Sequence, residues 1–269
     1  MGIPYAEVIG DPIAHSKSPL IHQFWLRRMG IVGDYRAIRV RPEELADYLA
    51  ARRPDPDWRG CNVTMPCKQA IAEHLDTIDP VARRIGAVNT VINHSAGLLM
   101  GTNTDFQGAH FALEPSAPAG KRVVLLGAGG AARAVLEELR QAGASHVTIL
   151  ARSEDKARAL LEAFGLDGAT GPIGGAPAAD LLINATPLGM AGQPPLDVEL
   201  SALPPGATVF DLVYHPLDTP LLAEARRLGF RTVDGLAMLI WQASMAFTYF
   251  FGEPPPDPDS AELREALAR

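Results

Sequence analysis

Short apolar blocks alternate along this chain with longer stretches that carry apolar residues at helical spacing, and that alternation predicts α/β layers built on parallel strands. AEVIG at 6–10 reads as a strand, and 19–29 as the helix after it, with Leu20, Ile21, Phe24 and Trp25 on one face and Gly30 as the stop. DYRAIRV at 34–40 is a second strand backed by a helix over 42–52, and GCNVT at 60–64 a third, followed by a helix beginning near Pro66. AVNTVIN at 87–93 and LLMGTN at 98–103 are predicted to form a hairpin at a sheet edge, joined by a tight Ser-Ala-Gly turn.

A Pro/Gly-rich connection, EPSAPAG at 114–120, then opens a second unit. KRVVLLG is its first buried strand and AARAVLEELRQAG the helix behind it; HVTILAR, DLLINAT and ATVFDLV are further strands. GLAMLIWQASMAFTYFFG at 235–252 is a helix too apolar to lie outside a core, and Ser260 caps a short helix beyond it. Because the first unit is short of elements, the expected arrangement is two α/β domains, 1–104 and 105–235, with the helices of 236–269 returning to the first and a cleft between the two.

Composition narrows the partners. A net charge of −7 with scattered basic residues argues against nucleic acid or an anionic membrane surface. No apolar run is long enough to span a bilayer, and MGIPYAEVIG has no export-signal pattern, so a cytoplasmic protein is expected. Cys61 and Cys67 stand without a His/Cys array at zinc spacing, which predicts reduced thiols and no metal.

Residues 127–133, GAGGAAR, follow a strand and open a helix, which is the setting a dinucleotide fingerprint requires. Gly127 permits the tight turn, Gly129 lets the backbone approach a pyrophosphate, and with Ala128, Gly130 and Ala131 they bring a helix N-terminus to that charge. A NAD site normally carries an acid at the end of the next strand. Here Ala151, Arg152 and Ser153 stand there, with Lys156 nearby, a set that suits the 2′-phosphate of NADP; Glu154 and Asp155 lie just beyond.

Ligands of open α/β sheets bind beyond the carboxyl ends of strands, where the first domain places Ser16 with Ser18, Asn62 with Thr64, Lys68, and Asn89 with Asp105. Ser18 before Pro19 reads as a helix N-cap, which leaves Ser16 without a structural duty. Two hydroxyls at a positive helix end can hold one carboxylate. Lys68 is expected in the first turn of the helix after Pro66, where the macrodipole disfavours a cation. It is an indifferent surface residue there, or one that takes and returns a proton.

With these residues in place, the chain resembles the shikimate/quinate dehydrogenase family, shikimate dehydrogenases above all. GDPIAHSKSPLIH, NVTMPCK, GAVNTV, GTNTDFQG, GAGGAAR, INATPLGM, DLVYHPLDTPLL and DGLAMLIWQA carry the resemblance almost from end to end. It implies an N-terminal substrate domain, a Rossmann-type NADP domain, and the reversible NADPH-dependent reduction of 3-dehydroshikimate to shikimate on the way to chorismate and the aromatic amino acids. It gives Ser16 and Ser18 to the substrate carboxylate, with Tyr214 near it. Asn62, Thr64, Lys68, Asn89, Asp105 and Gln242 hold the ring hydroxyls. Lys68 paired with Asp105 is the acid/base, and Leu212 and Gly235 lie beside the nicotinamide. Ala151 replaces the asparagine frequent in the family, which implies a less strict preference for NADP, and His215 replaces another asparagine. Two other readings stay open: a quinate/shikimate dehydrogenase with broader substrate or NAD use, and a non-catalytic ligand sensor on the same fold, as monomer or homodimer in each case.

Overall fold

The computed structural model describes residues 2–94, 97–175 and 177–268. Two compact units emerge, one made of residues 1–107 and 240–269 and the other of residues 108–239.

The first unit is a six-stranded mixed sheet. Its strands are β1 (Tyr5–Gly10), β2 (Asp34–Arg39), β3 (Trp58–Val63), β4 (Thr77–Ile78), β5 (Thr90–His94) and β6 (Leu98–Thr102). They lie in the order β2-β1-β3-β5-β6-β4, with β1 parallel to β2 and β3, and β5 antiparallel to β3 and β6. β1 is buried at every position. Its one acid, Glu7, is neutralised by a two-point bond from Arg52 at 2.9 and 3.0 Å and by the Tyr48 hydroxyl at 2.5 Å. The helices of this unit are α1 (Ser18–Met29), α2 (Leu45–Arg52), α3 (Pro80–Ile85), the start of α4 (Thr104–Leu113), most of α8 (Gly235–Phe251), and α9 (Ala261–Ala268). Ala246 and Phe250 of α8 share a core with Ala6, Val8, Ile13 and Tyr35.

Three local expectations change. The hairpin of β5 and β6 forms, but β4 pairs with β6, so it is not at the edge; of the connecting Ser-Ala-Gly turn, Ser95 and Ala96 lie outside the described residues. No α-helix begins at Pro66: residues 65–69 form a turn, followed by a 3₁₀ helix over Ala70–His74. The reason is hydrogen-bond competition. The Lys68 carbonyl accepts the Val88 N–H at 2.7 Å, and the Ala72 N–H goes to Gln69 instead. Nor is Ser18 a cap: it is the first residue of α1, and Lys17 holds the capping position without a side-chain bond. Gly30 ends α1 in the left-handed region, φ +65°.

The second unit is a six-stranded, wholly parallel sheet. Its strands are β7 (Arg122–Leu126), β8 (His146–Leu150), β9 (Gly168–Gly171), β10 (Leu181–Asn184), β11 (Thr208–Asp211) and β12 (Arg231–Val233), in the order β12-β11-β10-β7-β8-β9. α5 (Gly130–Ala142), α6 (Glu154–Phe164) and α7 (Pro220–Arg227) connect them. The chain runs outward from β7 on one side, then returns to β10 on the other, which is the doubly wound order with its switch point between β7 and β10. Strands buried on both faces read as continuous apolar runs, as RVVLL and LLIN do. Among the described residues, no helix is long and apolar enough to cross a membrane.

Candidate active site

In the first unit, a chain of polar side chains crosses the carboxyl end of β3 and the start of β5. Lys68 Nζ lies 2.5 Å from Asp105 Oδ2, both side chains mostly shielded from solvent. The other Asp105 oxygen accepts from Asn89 Nδ2 at 2.9 Å, and the second hydrogen of that amide goes to Thr104 Oγ1 at 3.1 Å. Asn89 Oδ1 accepts the Thr104 N–H at 2.6 Å and the Thr90 hydroxyl at 3.0 Å. Thr90 Oγ1 in turn accepts from Asn62 Nδ2 at 2.9 Å, and Asn62 Oδ1 accepts from the Tyr35 phenol at 2.6 Å. Register explains the convergence: Asn62 faces Thr90 across β3 and β5, and Thr90 faces Thr102 across β5 and β6, two residues before α4. Asp105 sits in the first turn of α4, where the helix dipole favours a carboxylate.

The Tyr35 ring is fully buried and stacked on His22, centroids 3.9 Å apart and 5° from parallel. Burial drives the Tyr35 phenol well above its ordinary pKa, against a Ser18 hydrogen bond that lowers it. Neither His22 ring nitrogen has a hydrogen-bond partner among the described residues, and burial depresses its pKa to about 3. The imidazole is therefore neutral and acts as an aromatic plate. Ser16, expected to have no structural duty, has one: its Oγ accepts the Ser18 N–H at 3.3 Å.

In the second unit, Gly127 stands at the switch point with φ +104°, where a Cβ would come within 3.0 Å of Thr186 Cγ2 and 3.1 Å of Ala185 O. A Cβ on Gly129 would meet nothing within 4 Å, so open space faces the N-terminus of α5, which begins at Gly130. Ala128 and Ala131 flank that space, half-buried. A pyrophosphate fits such a cradle. At the end of β8, Ala151 is buried with its N–H bonded to the Gly171 carbonyl at 2.9 Å, and Arg152 is exposed. Ser153 caps α6 by accepting the Lys156 N–H at 3.4 Å. Glu154 and Asp155 belong to the first turn of α6, past the strand end, and Asp155 lies 4.0 Å from Arg158. Leu212 and Gly235 touch: a Cβ on Gly235 would fall 2.4 Å from the Leu212 carbonyl oxygen.

Two family models cover much of this chain, the shikimate dehydrogenase substrate-binding domain over residues 8–91 and shikimate/quinate 5-dehydrogenase over residues 112–172. A shikimate dehydrogenase (NADP(+)) of Sphingopyxis alaskensis is 53% identical over 98% of this chain and 97% of its own length. The chain belongs to the shikimate dehydrogenase family. Among solved structures, the shikimate 5-dehydrogenase of Thermus thermophilus in complex with NADP(H) and shikimate superposes with TM-score 0.85 at 39% identity, covering 98% of each chain. A 5-ketofructose reductase of Gluconobacter sp. strain CHM43 superposes with TM-score 0.90 at 34% identity, over 99% of this chain and 98% of that one.

Of the residues that the shikimate dehydrogenase resemblance singles out, Ser16, Ser18, Asn62, Thr64, Lys68, Asn89, Asp105 and Gln242 all belong to the first unit. The structure joins Lys68, Asp105, Asn89 and Asn62 in one hydrogen-bonded chain, and leaves Thr64 half-buried just past β3. Gln242 is buried on α8. Tyr214, with the glycine loop, Arg152, Leu212 and Gly235, belongs to the second unit, and burial raises its phenol pKa. Sequence reading missed Tyr35, Thr90 and Thr104, which hold the chain of amides in place. Tyr35 is the buried residue of β2 and Thr104 adjoins Asp105, but only the folded chain shows what they touch.

Proposed function

We propose that this protein catalyses the reversible NADPH-dependent reduction of 3-dehydroshikimate to shikimate, acting in the cytoplasm as a monomer or homodimer. The observation that carries this reading is the Lys68–Asp105 pair, held at 2.5 Å by a saturated amide network in a chain of this family. NADPH, when bound at the Gly127–Ala131 cradle, supplies hydride from its nicotinamide. Lys68 donates a proton to the C3 carbonyl oxygen as the hydroxyl forms, and takes it back in the oxidative direction. Asp105 holds the ammonium in place, and its network to Asn89 keeps the carboxylate from turning away.

Asn62 and Asn89 have spent their amide groups inside the protein. They support this reading as the rigid floor of a ring-hydroxyl site rather than as free donors. Ser16 and Ser18 at the head of α1 suit the substrate carboxylate, and Thr64, Tyr214 and Gln242 complete the substrate set. Ala151, Arg152, Ser153 and Lys156 suit the 2′-phosphate, and Leu212 and Gly235 the nicotinamide.

Steady-state assays test this by absorbance: shikimate and quinate with NADP⁺ or NAD⁺, and 3-dehydroshikimate and 5-ketofructose with NADPH. The expected result is highest kcat/KM for the shikimate couple with NADP(H). Lys68→Ala should lower kcat by about 10² to 10⁴. Turnover favouring quinate with NAD⁺, or 5-ketofructose, or a Lys68→Ala kcat within a few-fold of wild type, overturns the assignment.

A further inference from the structure

Asp211 ends β11 with 1% of its surface exposed and no cationic partner among the groups that contact it. Burial raises its pKa, against three hydrogen bonds that favour the carboxylate. Those bonds come from the Asn184 amide at 2.9 Å, the Val213 N–H at 3.0 Å and the Thr219 hydroxyl at 2.7 Å. Asn184 is the last residue of β10, and Val213 and Thr219 belong to the loop after β11. A buried carboxylate without a counter-charge carries a desolvation cost that only its hydrogen bonds offset, so where those bonds go says what the group holds in place. This one spends its oxygens on two loops at the carboxyl end.

The consequences run in both directions from the carboxylate. Asn184 passes the restraint to its own loop, since its Oδ1 accepts the Thr186 N–H at 3.0 Å and its Nδ2 donates to the Leu188 carbonyl at 3.2 Å. Ala185 and Thr186 of that loop pack against Gly127. On the other side, the Leu212 N–H donates to the Asn184 carbonyl at 2.9 Å while the Val213 N–H is held by Asp211, so the Leu212 peptide is fixed at both ends against Gly235. A doubly wound sheet of this order binds one nucleotide on each half, and β10–β12 form the half opposite the adenosine side built on β7 and β8.

We propose that Asp211 is a positioning residue for the nicotinamide half of the cofactor, acting through the backbone of Leu212–Val213 and the Asn184 loop. The proposal rests on the dinucleotide reading of the second unit. The test compares binding of NADP⁺ with binding of adenosine 2′,5′-bisphosphate, which carries the adenosine and 2′-phosphate and has no nicotinamide, together with kinetics in both substrates. Asp211→Ala is expected to weaken NADP⁺ binding by about tenfold or more, since small misplacements in a site carry penalties of that order. Adenosine 2′,5′-bisphosphate binding and the KM for shikimate should stay as in wild type. Asp211→Asn, which keeps an oxygen for Asn184 and Val213, should restore most of the loss. Thr219→Val, which removes the third bond together with the cap that this hydroxyl provides to the Leu222 N–H of α7, should show the Asp211→Ala pattern in weaker form, and it carries the test if Asp211→Ala does not fold. Wild-type NADP⁺ affinity in Asp211→Ala and Thr219→Val, or equal loss of both ligands, overturns the proposal. Binding of neither probe by the wild-type protein removes the dinucleotide reading itself.

Discussion

His22 and Arg152 show how much one side chain's surroundings decide. His22 is neutral because burial lowers its pKa from 6.5 to about 3, whereas in the unfolded chain it titrates normally. The stability it contributes is complete above pH 6.5 and is lost progressively as pH falls towards 3, because the unfolded chain binds a proton that the folded one does not. Between pH 7 and pH 5 that loss amounts to about 2 kcal/mol, and His22→Phe, which keeps the stack on Tyr35, should flatten the dependence when urea unfolding is followed across that range. Arg152 is exposed at the end of β8 with no acid preceding it. Arg152→Ala should raise the KM for NADP⁺ about tenfold or more, as loss of charge-assisted bonds to a phosphate does, and leave the KM for NAD⁺ nearly unchanged. Equal effects on the two cofactors would place the 2′-phosphate elsewhere.

At the scale of elements, the head of α1 is where local reading and structure part most clearly. Ser-Pro is a strong local signature of a cap and first turn, yet α1 starts one residue earlier and the accepting oxygen is that of Ser16. Ser16→Ala should therefore cost about 0.5–1 kcal/mol in chemical denaturation as well as raising the KM for shikimate. A stability loss with KM unchanged would make Ser16 a turn residue only. The glycine cradle was legible because a positive φ at Gly127 and open space at Gly129 are demands that one loop imposes on its own residues. Lys68 was legible as a candidate, but its loop was not, because the bond that diverts its carbonyl comes from Val88, twenty residues on. Thr90 and the two-residue β4 escaped because their partners are set by strand register, and Tyr35 because its partners, His22 and Asn62, lie on α1 and β3, which no local pattern encodes.

The molecule as a whole divides its candidate residues by unit, the Lys68–Asp105 pair in one and the glycine loop in the other. Hydrogen exchange should show that division. Shikimate should slow amides around 62–68, 89–90 and 104–105, and NADP⁺ those around 127–133, 151–153 and 212–213; NADP⁺ protection confined to the first set would contradict the assignment of the cradle. The units also differ in how the chain supplies them. The second is continuous, but the first closes only when 240–269 joins 1–107, because Ala246 and Phe250 complete the core around Ala6, Val8 and Tyr35. A ribosome adding about 5–20 residues per second leaves that core without Ala246 and Phe250 for roughly 10 to 50 seconds after β1 has emerged. The unit that begins first is finished last.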